Sequence, residues 1–157
     1  LPYAQMDRFL VRLSVGYPDR DAQIAMLRAR QDENPLDRVC QVASREDVLA
    51  MQTAVRAISV SDAILDYITR LTMASREHPM LEVGVSPRGA LCLCRMAKAR
   101  AYLLGRDYVV GEDVQDVWQD VCAHRVAATP KARLSGVTGA DILRNVLSSV
   151  ESPEQRV

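Results

Sequence analysis

Two arginines carry the chemistry that residue type and position can support here. Arg88 stands second in a helix announced by Ser86-Pro87, inside the run SPRG. A helix start offers free N–H groups and the positive end of the dipole, which suits an anion. An arginine at that place runs against the dipole and calls for a negative partner. A phosphate would serve, and so would a salt bridge to an acid such as Glu82. Arg8 follows Asp7 just ahead of the apolar run FLVRLSV. It can be half of a surface ion pair with Asp7, or a charge held out for a partner elsewhere.

Other chemistry is thin. His78 and His124 lie in unrelated contexts with no nucleophile to serve, one in a loop and one at a helix end favoured by the C-terminal dipole. The four cysteines, Cys40, Cys92, Cys94 and Cys122, form no C-x-x-C pair. Cys92 and Cys94 would project about 200° apart on a helix and could not share one metal. No metal site is expected, and reduced thiols fit a cytoplasmic location. The chain has no G-x-x-x-x-G-K-[ST] loop, no G-x-G-x-x-G, no G-x-S-x-G and no H-E-x-x-H. Taken alone, it shows no catalytic constellation.

The elements that must hold the two arginines can be read from periodicity. Val11, Leu13 and Val15 alternate with Arg12 and Ser14, a strand pattern over 10–15 that Gly16-Tyr17-Pro18 ends. A single strand needs a sheet, so its neighbours are expected upstream. After Pro18 the pattern is helical. Asp19 caps a helix over about 20–31, and NPLD at 34–37 breaks it. Ser44 with Asp47 forms an acidic capping box for about 45–57. Ser61 caps a helix to about 77 carrying Ile64, Leu65, Ile68, Leu71 and Thr72.

The loop HPMLEVGV leads to the Ser86-Pro87 helix, whose stripe is Ala90, Cys94, Ala97, Ala101 and Leu104 and whose stop is Gly105. A helix over about 112–123 carries Val114, Val117, Trp118 and Val121. RVAATPKARLSG reads as a loop. Thr138 with Asp141 caps a last helix through Val150, and ESPEQRV is expected to fray. The sum is a strand remnant followed by a six-helix array.

Composition agrees with an aliphatic helical domain. Of 157 residues, 48% are hydrophobic but only 4% aromatic, which disfavours a β-sandwich. The formal net charge of zero provides no broad electrostatic footprint for nucleic acid, and none is expected as a partner. Arg95, Lys98, Arg100 and Arg106 read as a solvated helix face. No stretch approaches a membrane span.

LPYAQMDRFLVRLSVGYP resembles the LPEAQLDRF…YP segment of the MoxR-type ATPases of the AAA+ superfamily. GVSPRGALCLCRMAKARAYLLGRDYVVGEDV resembles the lid of the same family, with its S-P-R-x start, its A-K-A-x-A-x-x-x-G-R run and its D-Y-V-x-x-E-D-V turn in that order. The resemblance covers most of residues 1–124 and is compatible with 125–150. It implies an all-α lid over 19–150, a C-terminal stub of the α/β core over 1–18 and a tail over 151–157.

It also implies that Arg8 is an arginine finger acting in trans on a neighbour's γ-phosphate, an effect of roughly 10³–10⁵ in rate elsewhere. Arg88 would be the sensor-2 arginine. The parent would use ATP and Mg2+, form a ring taken as a hexamer, and remodel client proteins, among them proteins with von Willebrand factor A domains. This chain alone would bind no nucleotide tightly and would be inactive, the Walker motifs lying upstream. Two positions depart from the family pattern: Tyr3 replaces Glu, and Val110-Gly111 replaces Thr-Pro before E-D-V, weakening that cap. A magnesium-chelatase or helicase-like motor lid is an alternative, and so is a stand-alone helical interaction module.

Overall fold

The computed structural model describes residues 3–31 and 34–153. Among these, the regular structure is helical apart from one two-stranded ribbon and an isolated bridge between Ser59 and Tyr108. In order the elements are α1 (Tyr3–Met6), α2 (Arg20–Ala29), a 3-10 turn (Pro35–Arg38), α3 (Arg45–Ala57), α4 (Asp62–Glu77), β1 (Leu81–Val83), α5 (Pro87–Leu103), α6 (Gly111–Cys122), β2 (Ala127–Ala128), α7 (Pro130–Leu134) and α8 (Gly139–Ser149). Among the described residues, no helix is long and apolar enough to cross a membrane.

The chain divides into two compact units, one of Leu1–Arg12 with Thr53–Val157 and one of Leu13–Gln52. The smaller unit holds α2, the 3-10 turn and the first part of α3. Asp19 accepts from the Ala22 N–H at 2.8 Å and Asn34 from Leu36 at 3.3 Å. The Ser44–Asp47 box is complete, with Asp47 N donating to Ser44 Oγ at 3.0 Å and Ser44 N to the Asp47 carboxylate at 2.8 Å. Among its described residues none is buried. Leu13, Val15, Tyr17, Val39 and Val42 are all exposed.

Residues 10–15 do not form the expected strand. They run without regular structure. The alternation is real, but a strand is stable only when its N–H and C=O groups meet a neighbour, and no described segment of this chain supplies one.

The larger unit has a dry aliphatic core. Ser61 caps α4 and presents Ile64, Tyr67, Ile68 and Leu71 to the interior. Helix α5 runs against α6 and α4, with Leu93, Ala97 and Ala101 fully buried at successive i+4 positions. Of the expected stripe, Ala97 and Ala101 are fully buried, Ala90 and Cys94 are partly buried, and Leu104 is exposed. Trp118 on α6 is wholly enclosed and donates its indole N–H to the Leu143 carbonyl at 3.0 Å, joining α6 to α8. Burying the ring while satisfying its donor makes it the anchor of the core.

Three local readings need correction. HPMLEVGV contains β1, and RVAATPKARLSG contains β2 and α7; the strands pair antiparallel, Leu81 with Ala128 and Val83 with Ala127. Thr129-Pro130 repeats the Ser-Pro helix start of α5, with Thr129 Oγ1 accepting from Ala132 N at 3.2 Å. Residues 151–153, expected to fray, are held: the Glu151 carbonyl accepts from Arg70 at 2.9 Å, and Ser152 packs on Gly111. A Cβ at position 111 would overlap the Ser152 hydroxyl.

Candidate functional site

Arg8 lies in the turn after α1, and Arg88 lies in the first turn of α5. Both are exposed. Among the described residues, neither guanidinium makes a hydrogen bond or an ion pair. The two ordinary partners that the sequence offered are thus not used: Asp7 turns elsewhere, and Glu82 does not reach Arg88. Adjacent side chains on a non-helical segment tend to point apart, so Asp7 is poorly placed to neutralise Arg8.

Asp7 instead binds Arg125 and Ser86. Arg125 Nη1 meets Asp7 Oδ1 at 2.8 Å, and the arginine side chain is fully buried. The Ser86 hydroxyl donates to the two Asp7 carboxylate oxygens at 3.0 and 3.1 Å. The same hydroxyl oxygen accepts the Gly89 N–H at 3.1 Å and so caps α5. One serine therefore links the segment bearing Arg8 to the helix bearing Arg88.

This changes the reading of the helix start. Pro87 has no N–H, and the Gly89 N–H is taken by Ser86. The carboxylate of Asp7 already answers the positive end of the dipole through Ser86. An anion recruited here would be held by the Arg88 guanidinium, not by a nest of free backbone groups.

Around Arg8 the backbone is gripped on both sides. Arg125 donates from Nη1 to the Asp7 carbonyl and from Nη2 to the Phe9 carbonyl, and also from Nη2 to Leu10 O at 3.3 Å. Its Nε donates to Val121 O at 2.7 Å, one turn back from Arg125 and next to the last residue of α6. His124 Nε2 lies 3.0 Å from Phe9 O. A carbonyl only accepts, so the proton of the neutral ring sits on Nε2. The Arg12 N–H donates to Asp120 O at 2.9 Å.

His124 departs from its expected charge state. It does follow α6, but it is buried, with Nδ1 unpartnered among the described residues. Burial, together with the neighbouring charges of Arg125 and Arg12, outweighs the Phe9 bond and the charge of Asp7 and holds its pKa below the usual imidazole value. Desolvation beats the dipole here.

Gly89 makes room for this arrangement. A Cβ there would stand 2.6 Å from Val85 Cγ1 and 3.2 Å from Arg125 Cδ. The glycine of SPRG leaves room first for the Val85 side chain and then for the Arg125 stem, which passes close to the first turn of α5.

A second charged knot orients the start of α6. Arg106 binds the buried Asp113 carboxylate with both arms, at 2.7 and 2.6 Å, and the Val110 N–H donates to it at 2.9 Å. Burial alone would raise the Asp113 pKa. The forked bonds from Arg106, the Val110 N–H and the charges of Arg106 and Arg100 outweigh it, leaving the carboxyl below its ordinary range. Val110 offers no cap acceptor, yet Asp113 keeps the reciprocal half of a capping box. The cluster read as a solvated face thus includes Arg106, engaged with a buried acid, and Lys98, which donates to Arg56 O at 3.0 Å.

Arg125 escaped the sequence reading. The available signal was HRVAA at 124–128, where a charged residue enters an apolar run that is buried throughout. For magnesium, the described residues hold no group of three or more His, Cys, Asp or Glu able to bind a metal ion. For a phosphate group, Arg8 and Arg88 are exposed guanidiniums without an ion pair among the described residues, a state they share with other surface arginines such as Arg28, Arg95 and Arg133.

The fold and this arrangement define a lid domain of an AAA+ ATPase, and residues 73–146 match the AAA lid domain family. The chain is 35% identical over 156 residues to the Bacillus subtilis (strain 168) protein YeaC, covering 99% of this chain and 49% of that protein. It is 31% identical over 163 residues to chaperone MoxR1 of Mycobacterium tuberculosis, covering 98% of this chain and 43% of that one. A crystal structure from Cytophaga hutchinsonii, described as a candidate ATPase, superposes with a TM-score of 0.89 at 29% identity, covering 98% of this chain and 49% of that one. These matches together support a C-terminal part of a MoxR-type AAA+ ATPase. The chain spans about half the length of the relatives it matches.

Proposed function

We propose that this chain is the C-terminal lid portion of a MoxR-like ATPase that hydrolyses ATP as a ring and uses the motion to remodel client proteins. Residues 1–18 then close the α/β core, and 19–150 form the lid. The remaining half of the protein supplies the nucleotide-binding loop and the magnesium ligands. Arg8 serves as the arginine finger on a neighbouring subunit's γ-phosphate, and Arg88 serves as the sensor-2 arginine. One relative is named a chaperone, which supports client remodelling as the output.

The observation carrying the reading is that Arg8 is exposed and unneutralised while the carbonyls of Asp7, Phe9 and Leu10 around it are all held by one buried arginine. Holding a backbone this firmly around a free guanidinium suits a group that must meet charge on a transferring phosphoryl group. The uncovered apolar side chains of residues 13–52 also favour a parent with more structure to set against them.

The test uses the full-length protein. Arg8→Ala abolishes turnover and leaves ATP binding largely intact, because the finger serves another subunit. Mixing that variant with a Walker-lysine variant restores activity at sites where a wild-type finger faces an intact nucleotide site. Absence of a G-x-x-x-x-G-K-[ST] loop from the upstream coding sequence, or no recovery in mixed rings, overturns the proposal.

A further inference from the structure

The geometry points to Arg125 as the positioning residue for Arg8, with Asp7 and Ser86 as the joint through which α5 sets that position. The inference rests on the reading of Arg8 as a finger. The Arg125 side chain is fully buried. Apart from Nε, which bonds the end of α6 at Val121, its donors are spent on residues 7–10, and the residue they leave out is Arg8.

A guanidinium can do this because its N–H groups radiate in a fixed plane, so one side chain spans three carbonyls and a carboxylate at once. Lysine would bring a point charge with donors on one atom. The Asp7 carboxylate neutralises the buried cation, which leaves the charge of Arg8 uncompensated. His124 and the Arg12 N–H fasten the far side of the segment to the end of α6. The turn is thus attached to α6 by several bonds and to α5 by the Ser86 hydroxyl. A shift of α5, the helix that carries Arg88, would pull on Asp7 and re-aim the neighbouring Arg8. Coupling of this kind needs a contiguous set of contacts, and the path Arg88–Ser86–Asp7–Arg8 is two residues of helix, one hydrogen bond and one peptide.

The experiment uses full-length rings carrying Arg125→Met, Arg125→Lys or Asp7→Asn. Displacing a reacting group by about 1 Å can cost on the order of a hundredfold, so Arg125→Met is expected to lower turnover roughly 10- to 100-fold with ATP affinity nearly unchanged. Arg125→Lys restores little. Two readouts separate positioning from a general loss of fold. Arg125→Met subunits mixed with Walker-lysine subunits recover turnover, since their own nucleotide sites are sound, and Arg8→Ala with Arg125→Met is no slower than Arg8→Ala alone.

Turnover within about twofold of wild type in Arg125→Met overturns the inference, as does a loss that mixed rings do not rescue. Where Arg125→Met fails to assemble, Asp7→Asn keeps the shape and is judged by the same criteria. An active Arg8→Ala ring would remove the finger reading itself, whereas an inactive Arg8→Ala ring beside a fully active Arg125→Met ring would remove only the positioning role.

Discussion

Asp7 and Arg125, 118 residues apart, form an ion pair in which the arginine side chain is wholly buried and the aspartate about one-quarter exposed, at 26%. Among the described residues, the carboxylate is the one negative charge bonded to the buried cation. A buried guanidinium stripped of its carboxylate costs about 3–5 kcal/mol, and the partial exposure of Asp7 argues for the lower end. Asp7→Ala is therefore expected to destabilise the chain by about 3 kcal/mol, read as a lower urea midpoint. A loss below about 0.5 kcal/mol would mean that water replaces the carboxylate without penalty.

The close approach of Gly89 to the Arg125 stem predicts a second defect. Gly89→Ala should favour the helix by intrinsic propensity. The added methyl would instead press on Val85 Cγ1 at 2.6 Å and on Arg125 Cδ at 3.2 Å. Overpacking of this kind costs about 1–3 kcal/mol. The variant should unfold earlier despite the better helix former, and an unchanged midpoint would show that Val85 moves aside freely.

These contacts mark the boundary of what the sequence made legible. The caps at Asp19, Ser44, Ser61, Ser86 and Thr138 each need only a polar side chain and an N–H two or three residues on, so local spacing revealed them. Arg8 and Arg88 were visible as charges, but spacing left an ion pair with Asp7 or Glu82 open for each, and only the resemblance singled them out. Arg125 was not visible, because its partners lie at residues 7–10 and no local pattern reports a contact across more than a hundred residues. Residues 10–15 misled for the opposite reason: alternation predicts a strand only where another strand exists to pair with it. The Thr129-Pro130 start was legible and was passed over, since five helical residues leave too short a periodic run to notice.

The depressed pKa of His124 makes stability depend on mild acid. The unfolded ring titrates near the ordinary imidazole value of about 6.5, while the folded ring resists protonation because of burial and the charges of Arg125 and Arg12. Below that pH the unfolded chain gains protons that the folded chain does not, so stability falls as pH drops through 6.5 toward the folded value. His124→Gln should flatten the dependence between about pH 7.5 and pH 5.5. Unfolding curves of both proteins across that window decide it; identical slopes would exclude His124 as the source.

Asp113 should act in a lower window and with the opposite charge logic. Its folded pKa lies below 3.8, because the Arg106 fork, the Val110 N–H and the Arg106 and Arg100 charges together exceed its burial penalty. Its contribution is complete above the unfolded value and is lost as pH falls through the folded one. Asp113→Asn should remove that acid-sensitive component and cost about 3–5 kcal/mol near neutrality, as expected when one member of a buried pair is removed. If Asp113→Asn leaves the acid limb of the stability profile unchanged, the carboxyl is not the group that titrates there.

Arg8 and Arg88 give the sharpest contrast with these residues. Both are exposed, and neither guanidinium is paired among the described residues, so the folded chain gains little from either charge. Arg8→Ala and Arg88→Ala should change stability by no more than about 0.5 kcal/mol, the usual range for surface substitutions. Arg88 also opposes its helix dipole, so its removal could raise stability slightly. In the full-length ring the same two variants should fail differently: Arg8→Ala in turnover, Arg88→Ala in the nucleotide dependence of lid movement. Measuring unfolding beside turnover keeps the two effects apart. A finger variant that loses turnover only in proportion to lost stability would be an ordinary structural residue.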